Sequence, residues 1–347
     1  MDRLDQSKEV QVIASQMGAS LLFPTQGIID ACIARVSEWS EGVNITSFSQ
    51  LEEIVCKKLH LTFEMIKKDG DIERLAHKYI SNGELAFVYV KTCFDEHTFG
   101  ALLERRNVRK NARDRHVAFI DCRGDKAARS YFSKWHEIAH VLTHFGQMEI
   151  PFHRSTTQKD DVESLMDRIA GEVGFFDPLF RPALDAEITG HPRLTFKIIE
   201  KVQKRICPEA SFQSTLIACT RRAPMPMVYV EAGLALKKSE RGSLVSLQGD
   251  FLSPCFPRPE PRLRATVVMP NPTAMEVGLD IHRNMEIPRS SVISLLNEGD
   301  GAARKDEGKF ENLAMWTHSD GSTLVPTEVF VEVRRYKESL YALVSLA

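Results

Sequence analysis

The chain is constrained most strongly by the stretch Ser133-Lys-Trp-His-Glu-Ile-Ala-His-Val-Leu-Thr143. Large apolar residues around this stretch recur at helical spacing and form one stripe: Tyr131, Trp135, Ile138 and Leu142. We therefore predict a helix from Asp125 through Phe145 that buries this stripe in a core. The two histidines, His136 and His140, then lie on an adjoining face of the same helix.

These histidines are four residues apart, with a glutamate beside the first, in the pattern His-Glu-x-x-His. On a helix both imidazoles lie one turn apart on one face and can reach one ion. Glu137 projects about 100° away, beside the ion, where a general base is needed. By chance the pattern occurs in roughly 3 of 100 chains of this length, so a third ligand is needed to support a metal site.

The next predicted helix, from Asp160 to Phe176, offers that ligand. Its apolar residues form another stripe: Val162, Leu165, Met166, Ile169 and Val173. Glu163 lies at the edge of this stripe and Asp167 lies one turn further on, and a half-buried carboxylate is costly unless it is paired or bound to a metal. We predict that Glu163 completes a Zn²⁺ site of two histidines and one glutamate. Asp167 is predicted to orient one histidine through its other ring nitrogen.

Rival ligands are also present near the motif. His144 continues the helical series, but three histidines along one helix span about 12 Å, which is too far for one ion. His153 and Asp160 fall on a predicted loop and remain alternatives. The metzincin pattern requires a further histidine where this chain has Gly146, so that class of site is disfavoured.

The order of predicted elements indicates an α+β fold in several segments. Helices are predicted at 8–40, at Phe48–Leu59 with Ser49 as N-cap, at Leu194–Ile206, and at Glu209–Thr220 with Pro208 at its start. Strands are predicted at Leu85–Val90, Val117–Asp121, Met227–Leu236, Leu263–Met269, Val292–Leu296 and Glu328–Arg334. The predicted segments are 1–44 (helical), 45–190 (containing the metal motif), 191–225 (a helix pair) and 226–347 (β-rich).

Composition and charge indicate the cellular compartment of the protein and the classes of partner that it can bind. The formal net charge is −2, so no global attraction to nucleic acid or to an anionic membrane is expected. No apolar run approaches the roughly 20 residues that span a bilayer, and the N-terminus carries no secretory signal. The seven cysteines are scattered and form no Cys-x-x-Cys pair. We therefore expect a cytoplasmic protein.

Four features together resemble the ImmA/IrrE family of zinc-dependent peptidases, over roughly residues 45–235. They are the strand Val117–Asp121, the helix Ala128–His140, the helix Glu163–Ala170 and the segment Ser211–Arg222. One departure is Gly174-Phe-Phe-Asp-Pro178, where the family often has a Leu-Met-Pro-like turn.

The resemblance implies the roles of the site residues and a substrate. The family's ligand histidines correspond to His136 and His140, its catalytic glutamate to Glu137 and its third ligand to Glu163. It implies a mostly helical zincin-like metallopeptidase domain with a small sheet, followed by the helix pair and by a β-rich domain for sensing or docking. The implied substrate is a DNA-binding repressor that controls stress, phage or mobile-element genes.

Two other functions are compatible with the sequence. The helix pair at 193–222 has seven Lys or Arg and two Asp or Glu, and its length suits a helix-turn-helix that binds DNA. Packing is favoured because the basic residues are spread around the helices. The chain is alternatively a zinc-bound regulatory scaffold with little or no turnover, although the intact Glu137 argues against this.

Overall fold

A computed structural model describes residues 3–106, 108, 114–143, 152–155, 160–237, 240, 260–298, 306–318, 320–336 and 339–347. The chain divides into two compact units, one formed by residues 1–183 and 202–215 and the other by residues 184–201 and 216–347. The mixed composition of helices and two separate sheets confirms the α+β class in this general sense.

The helices of the first part of the chain alternate with short strands. They are α1 (Lys8–Met17), α2 (Pro24–Ser40), α3 (Phe48–Leu59), α4 (Asp69–Ile80), α5 (Val90–Cys93), α6 (Ser130–Thr143), α7 (Asp161–Val173) and α8 (Asp177–Ile188). The predicted helical segment 8–40 is confirmed, and it consists of two helices, because Gly18 takes a left-handed φ of 67° and ends α1 before Pro24 begins α2. The N-cap of α3 is Ser47 rather than Ser49, and its side chain accepts a hydrogen bond from the Gln50 N–H.

The first unit contains a four-stranded sheet of β1 (Leu61–Ile66), β2 (Thr98–Glu104), β3 (His116–Asp121) and β4 (Phe152–Ser155). The strand order is β1-β3-β2-β4, with β1 parallel to β3 and β2 antiparallel to both of its neighbours. The predicted strand Val117–Asp121 is confirmed as β3.

The predicted strand at Leu85–Val90 was wrong, because Leu85–Tyr89 forms a 3-10 helix. Only Phe87 within it is buried, and its ring stacks on Tyr79 at a centroid distance of 4.4 Å. Leu85 and Val88 are exposed. The apolar residues of this segment therefore do not line one face of a sheet, although their composition is typical of a strand.

Both faces of the first sheet are covered. Alternate residues of β2 and β3, among them Ala101, Leu103 and Phe119, join a buried cluster that includes α4. Side chains alternate across a sheet, so Gly100 and Leu102 lie on the opposite face of β2. The helix α6 packs against β2 and β3. The helix α6 begins at Ser130, after the 3-10 segment Gly124–Arg129, rather than at Asp125 as predicted. Residues 144 and 145 of the predicted helix lie outside the described residues.

The second unit is built on a five-stranded antiparallel sheet. Its strands are β5 (Met227–Ala235), β6 (Arg262–Pro270), β7 (Glu307–Asn312), β8 (Glu328–Tyr336) and β9 (Ser339–Leu346), in the order β6-β5-β9-β8-β7. The remaining helices are α9 (Phe196–Ile206), α10 (Phe212–Arg222), α11 (Pro272–Glu276) and α12 (Val292–Glu298). The helices α8, α9 and α10 are each divided between the two units.

Three of the four predicted C-terminal strands are confirmed as β5, β6 and β8. The fourth was wrong, because Val292–Leu296 belongs to α12, whose first amide donates to the Glu311 carboxylate at 2.6 Å. Pro208 does not start α10, which begins at Phe212 after Ser211 accepts from the Ser214 N–H.

Within the described residues, no helix is both long and apolar enough to cross a membrane. The six described cysteines carry free thiols, and Cys255 lies outside the described residues.

Candidate metal centre

The helix α6 holds both histidines of the motif in the interior of the first unit. His136 is 0% exposed and His140 is 1% exposed. Their Nε2 atoms lie 3.2 Å apart, so both rings point at one location. The helix ends on a contact from α2, in which the Arg35 guanidinium donates to the Leu142 carbonyl at 2.9 Å. A cation at the C-terminus of a helix stabilises it through the helix dipole.

The helix α7 brings Glu163 to the same location. Its N-cap is Asp160, whose side chain accepts from the Glu163 N–H at 2.7 Å and so fixes the first turn. Glu163 Oε2 lies 3.0 Å from His136 Nε2, and Oε1 lies 3.2 Å from His140 Nε2. The Glu163 side chain is only 13% exposed.

A close approach at the end of α7 sets the spacing of the two helices. A Cβ atom on Gly174 would lie 2.5 Å from the Ala170 carbonyl oxygen of α7 and 2.8 Å from Cγ of Trp135 in α6, so a larger residue does not fit between the two helices without a shift. The Tyr131 hydroxyl of α6 donates a hydrogen bond to the Gly174 carbonyl and so links α6 to the end of α7 at the same place. The segment 174–178 therefore begins at a point of tight packing against α6.

Asp167 sets the orientation of one imidazole. Its Oδ1 lies 2.9 Å from Nδ1 of His136. Because a carboxylate accepts a hydrogen bond, Nδ1 of His136 carries a proton, and the other ring nitrogen, Nε2, faces Glu163 and His140.

This donor set fits a metal ion. The three groups are the only set of this kind among the described residues whose ligand atoms all lie within 4.8 Å of one another. Lone pairs of two imidazoles and a carboxylate that converge in this way repel each other unless they share a cation. Ligands bound at 2.0–2.1 Å in a tetrahedron are separated by about 3.3 Å, close to the separations seen here. His136, His140 and Glu163 could therefore hold a metal ion.

The electrostatics of Glu163 agree with this geometry. Burial raises the pKa of its carboxyl, but in the metal-free site the hydrogen bonds and positive charge of protonated His136 and His140 outweigh burial and hold the pKa well below its usual range. The carboxyl is therefore ionised, which is the form that binds a metal.

Glu137 directly follows His136 in α6. It is 0% exposed, and its side chain is packed against the backbone of β2 at Gly100. Gly100 was not among the site residues predicted from the sequence. The signal for it in the sequence was slight: a single glycine within β2, directly before the apolar residues 101–103.

The rival ligands are placed differently. Asp160 is exposed and caps α7. His144 and the side chain of His153 lie outside the described residues.

Sequence comparison identifies no relative of this chain: no family model matches it, and no curated protein matches it. The structure itself brings His136, His140, Glu163 and Asp167 together, with Glu137 beside them in the same helix as the histidines.

Proposed function

We propose that this chain is a zinc-dependent endopeptidase that hydrolyses a peptide bond in a protein substrate. The observation that supports it is the convergence of His136 and His140 of α6 with Glu163 of α7 on one point. The buried Glu137 lies in the same helix as the two histidines. Two histidines and one glutamate are the ligand set of several zinc peptidases and leave a coordination position for water.

Each residue has a defined role in this proposal. A bound zinc ion would supply a Lewis acid and lower the pKa of a coordinated water toward 7. His136, His140 and Glu163 would hold it, and Asp167 keeps the proton of His136 on Nδ1. The Glu137 carboxylate would take a proton from the attacking water and deliver it to the leaving amine, as a general base and then a general acid.

The proposed substrate follows from the resemblance to the ImmA/IrrE peptidases. We propose a DNA-binding repressor whose cleavage induces stress, phage or mobile-element genes. Cleavage of such a regulator requires a single accessible peptide bond rather than general digestion, so one cut is the expected product pattern.

The test is to incubate zinc-loaded protein with candidate repressors from the same cell and to look for one cut. Glu137→Gln should keep stoichiometric zinc and lose about 10²- to 10⁴-fold in rate, the usual contribution of a general base. Glu53→Gln, the same change at an exposed position on α3, should cleave like the wild type. Equal cleavage by Glu137→Gln and the wild type would contradict the assignment.

The two alternatives give different results in the same experiment. A regulatory scaffold would bind zinc and cleave none of the candidates. For DNA binding by the helix pair, Arg222 at the end of α10 is only 6% exposed, so its guanidinium is a poor phosphate contact. A gel shift that is lost on substitution of the neighbouring Arg221 would favour DNA binding.

A further inference from the structure

We propose that Gly100 is a positioning residue for Glu137. The missing side chain on β2 leaves the space that the Glu137 carboxylate occupies, and this contact fixes where the carboxylate lies. The kinetic consequence of the contact depends on the function proposed above, whereas the contact itself does not.

The space is filled by one side chain. A Cβ atom built on Gly100 would lie 3.2 Å from Cδ and 3.4 Å from Cγ of Glu137, and it would overlap Oε1. All three of its nearest atoms belong to Glu137. Glu137 is 0% exposed and belongs to α6, and its side chain contacts β2 at Gly100. Its carboxylate is therefore confined between the helix and the strand.

A glycine at this position is not required by the backbone. Gly100 is not among the glycines with positive φ, so an L-amino acid can adopt its conformation. It lies inside the sheet, opposite Ile120 of β3 and Arg154 of β4, where glycine is unfavourable for a strand. Glycine inside a strand often marks a close approach of another group, and here that group is Glu137.

The local register supports the same interpretation. The pairing of β2 with β4 shifts between Thr98 and Gly100, which is the irregularity of a β-bulge. Bulges occur next to active sites and change where the following residues point. The bulge therefore lies directly before the residue that faces Glu137.

A side chain at position 100 should therefore displace the carboxylate and leave the metal ligands in place. A shift of about 1 Å in a reacting group can lower a rate about 10²-fold. We expect Gly100→Ala to lower kcat about 100-fold, with KM within about threefold of wild type and with one zinc bound per chain. The matched control is Gly70→Ala, because position 70 also lacks a positive φ and a Cβ there meets nothing within 4 Å. This control should cleave like the wild type.

A second measurement tests the contact in metal-free protein, independently of cleavage. Introduced into the wild type, Gly100→Ala should lower the midpoint of urea unfolding. Introduced into the Glu137→Ala variant, which lacks the carboxylate, it should lower the midpoint by less than half as much. An equal loss in both backgrounds, or a wild-type kcat in Gly100→Ala, would overturn the proposal. If wild-type protein cleaves no substrate, the proposed peptidase function fails, and the urea cycle still decides whether Gly100 positions Glu137.

Discussion

The Asp167 carboxylate, which is not one of the three proposed ligands, contacts His136. Asp167 lies one helical turn after Glu163 in α7, and its Oδ1 contacts Nδ1 of His136 at 2.9 Å. Groups in this position fix the tautomer and raise the basicity of the ligating nitrogen. The site therefore uses two acids of α7 for different purposes, one at each nitrogen of the same ring.

Removing this carboxylate should weaken metal binding without destroying the site. We expect Asp167→Ala to lower zinc affinity about 10- to 100-fold, as measured by competition with a chelator. Asp167→Asn should lower zinc affinity by less, because the amide oxygen can still accept a hydrogen bond from Nδ1 of His136. Unchanged affinity in Asp167→Ala would show that the contact does not influence the metal.

At the residue scale, the sequence predicted the relative positions of site residues that are close together along the chain. His136, Glu137 and His140 share one helix, so their spacing determines their relative position. Glu163 and Asp167 could be predicted because they lie one turn apart at the edge of an apolar stripe. The role of Gly100 could not be predicted, because its contact with Glu137 is between a strand and a helix residue 37 positions later. That contact depends on how β2 packs against α6.

At the level of elements, the first turn of α7 determines where Glu163 lies. Asp160 caps this turn through the backbone N–H of Glu163 itself. We expect Asp160→Ala to cost about 1 kcal/mol in the free energy of unfolding of the first unit, measured with urea. Zinc affinity should fall a few-fold, because the turn that carries Glu163 frays.

Two controls separate capping from ligation. Asp161→Ala removes the same charge and only an exposed ion pair with Arg3, so it should cost less than about 0.5 kcal/mol. Asp160→Asn keeps a good N-cap and should therefore keep its zinc. Loss of zinc from Asp160→Asn would instead identify Asp160 as a ligand.

The strand β8 carries a carboxyl that responds to pH. Burial raises the pKa of Glu332 to about 7, with Asp306 adding to the shift, while the Phe196 N–H and Arg334 oppose it. Below this pKa the folded protein holds a proton that the unfolded chain releases near pH 4.5. The stability of the second unit should therefore fall as the pH rises from about 4.5 to 7.

The size and origin of this pH effect can be measured. One unit of pKa difference corresponds to about 1.4 kcal/mol, so the loss across these roughly 2.5 units is on the order of 3.5 kcal/mol at most. Glu332→Gln mimics the protonated side chain and should flatten the dependence in urea titrations at several pH values. A variant that keeps the wild-type slope would show that other groups cause it.

Alternating burial helped to predict one strand, whereas β3 was predicted from its β-rich composition although five consecutive residues of it are buried. The strand β8 alternates buried and partly buried residues, and its pattern was read correctly. The strand β9 is buried at six consecutive positions, so it shows no alternation and was missed. Val292–Leu296 has the composition of a strand, but Leu295 is exposed and Val292 and Ile293 are buried, which suits a short helix.

At the scale of the whole molecule, every residue of the metal centre belongs to one unit. His136, Glu137, His140, Glu163 and Asp167 all lie within residues 1–183, together with Gly100. A ligand that binds only the folded state stabilises it by about 4 kcal/mol when present at 1,000 times its Kd. Zinc should therefore stabilise the first unit in particular.

Hydrogen exchange followed by mass spectrometry can locate this effect. Adding zinc to metal-free protein should slow exchange in peptides from α6 and α7, because opening of either helix requires release of the ion. Peptides from β5, β8 and β9, which lie in the second unit, should exchange at the same rate with and without zinc. His140→Ala, which removes one ligand, should abolish the protection in α6 and α7. Equal protection across both units would mean that they open as one cooperative body, and the metal would then stabilise the whole chain.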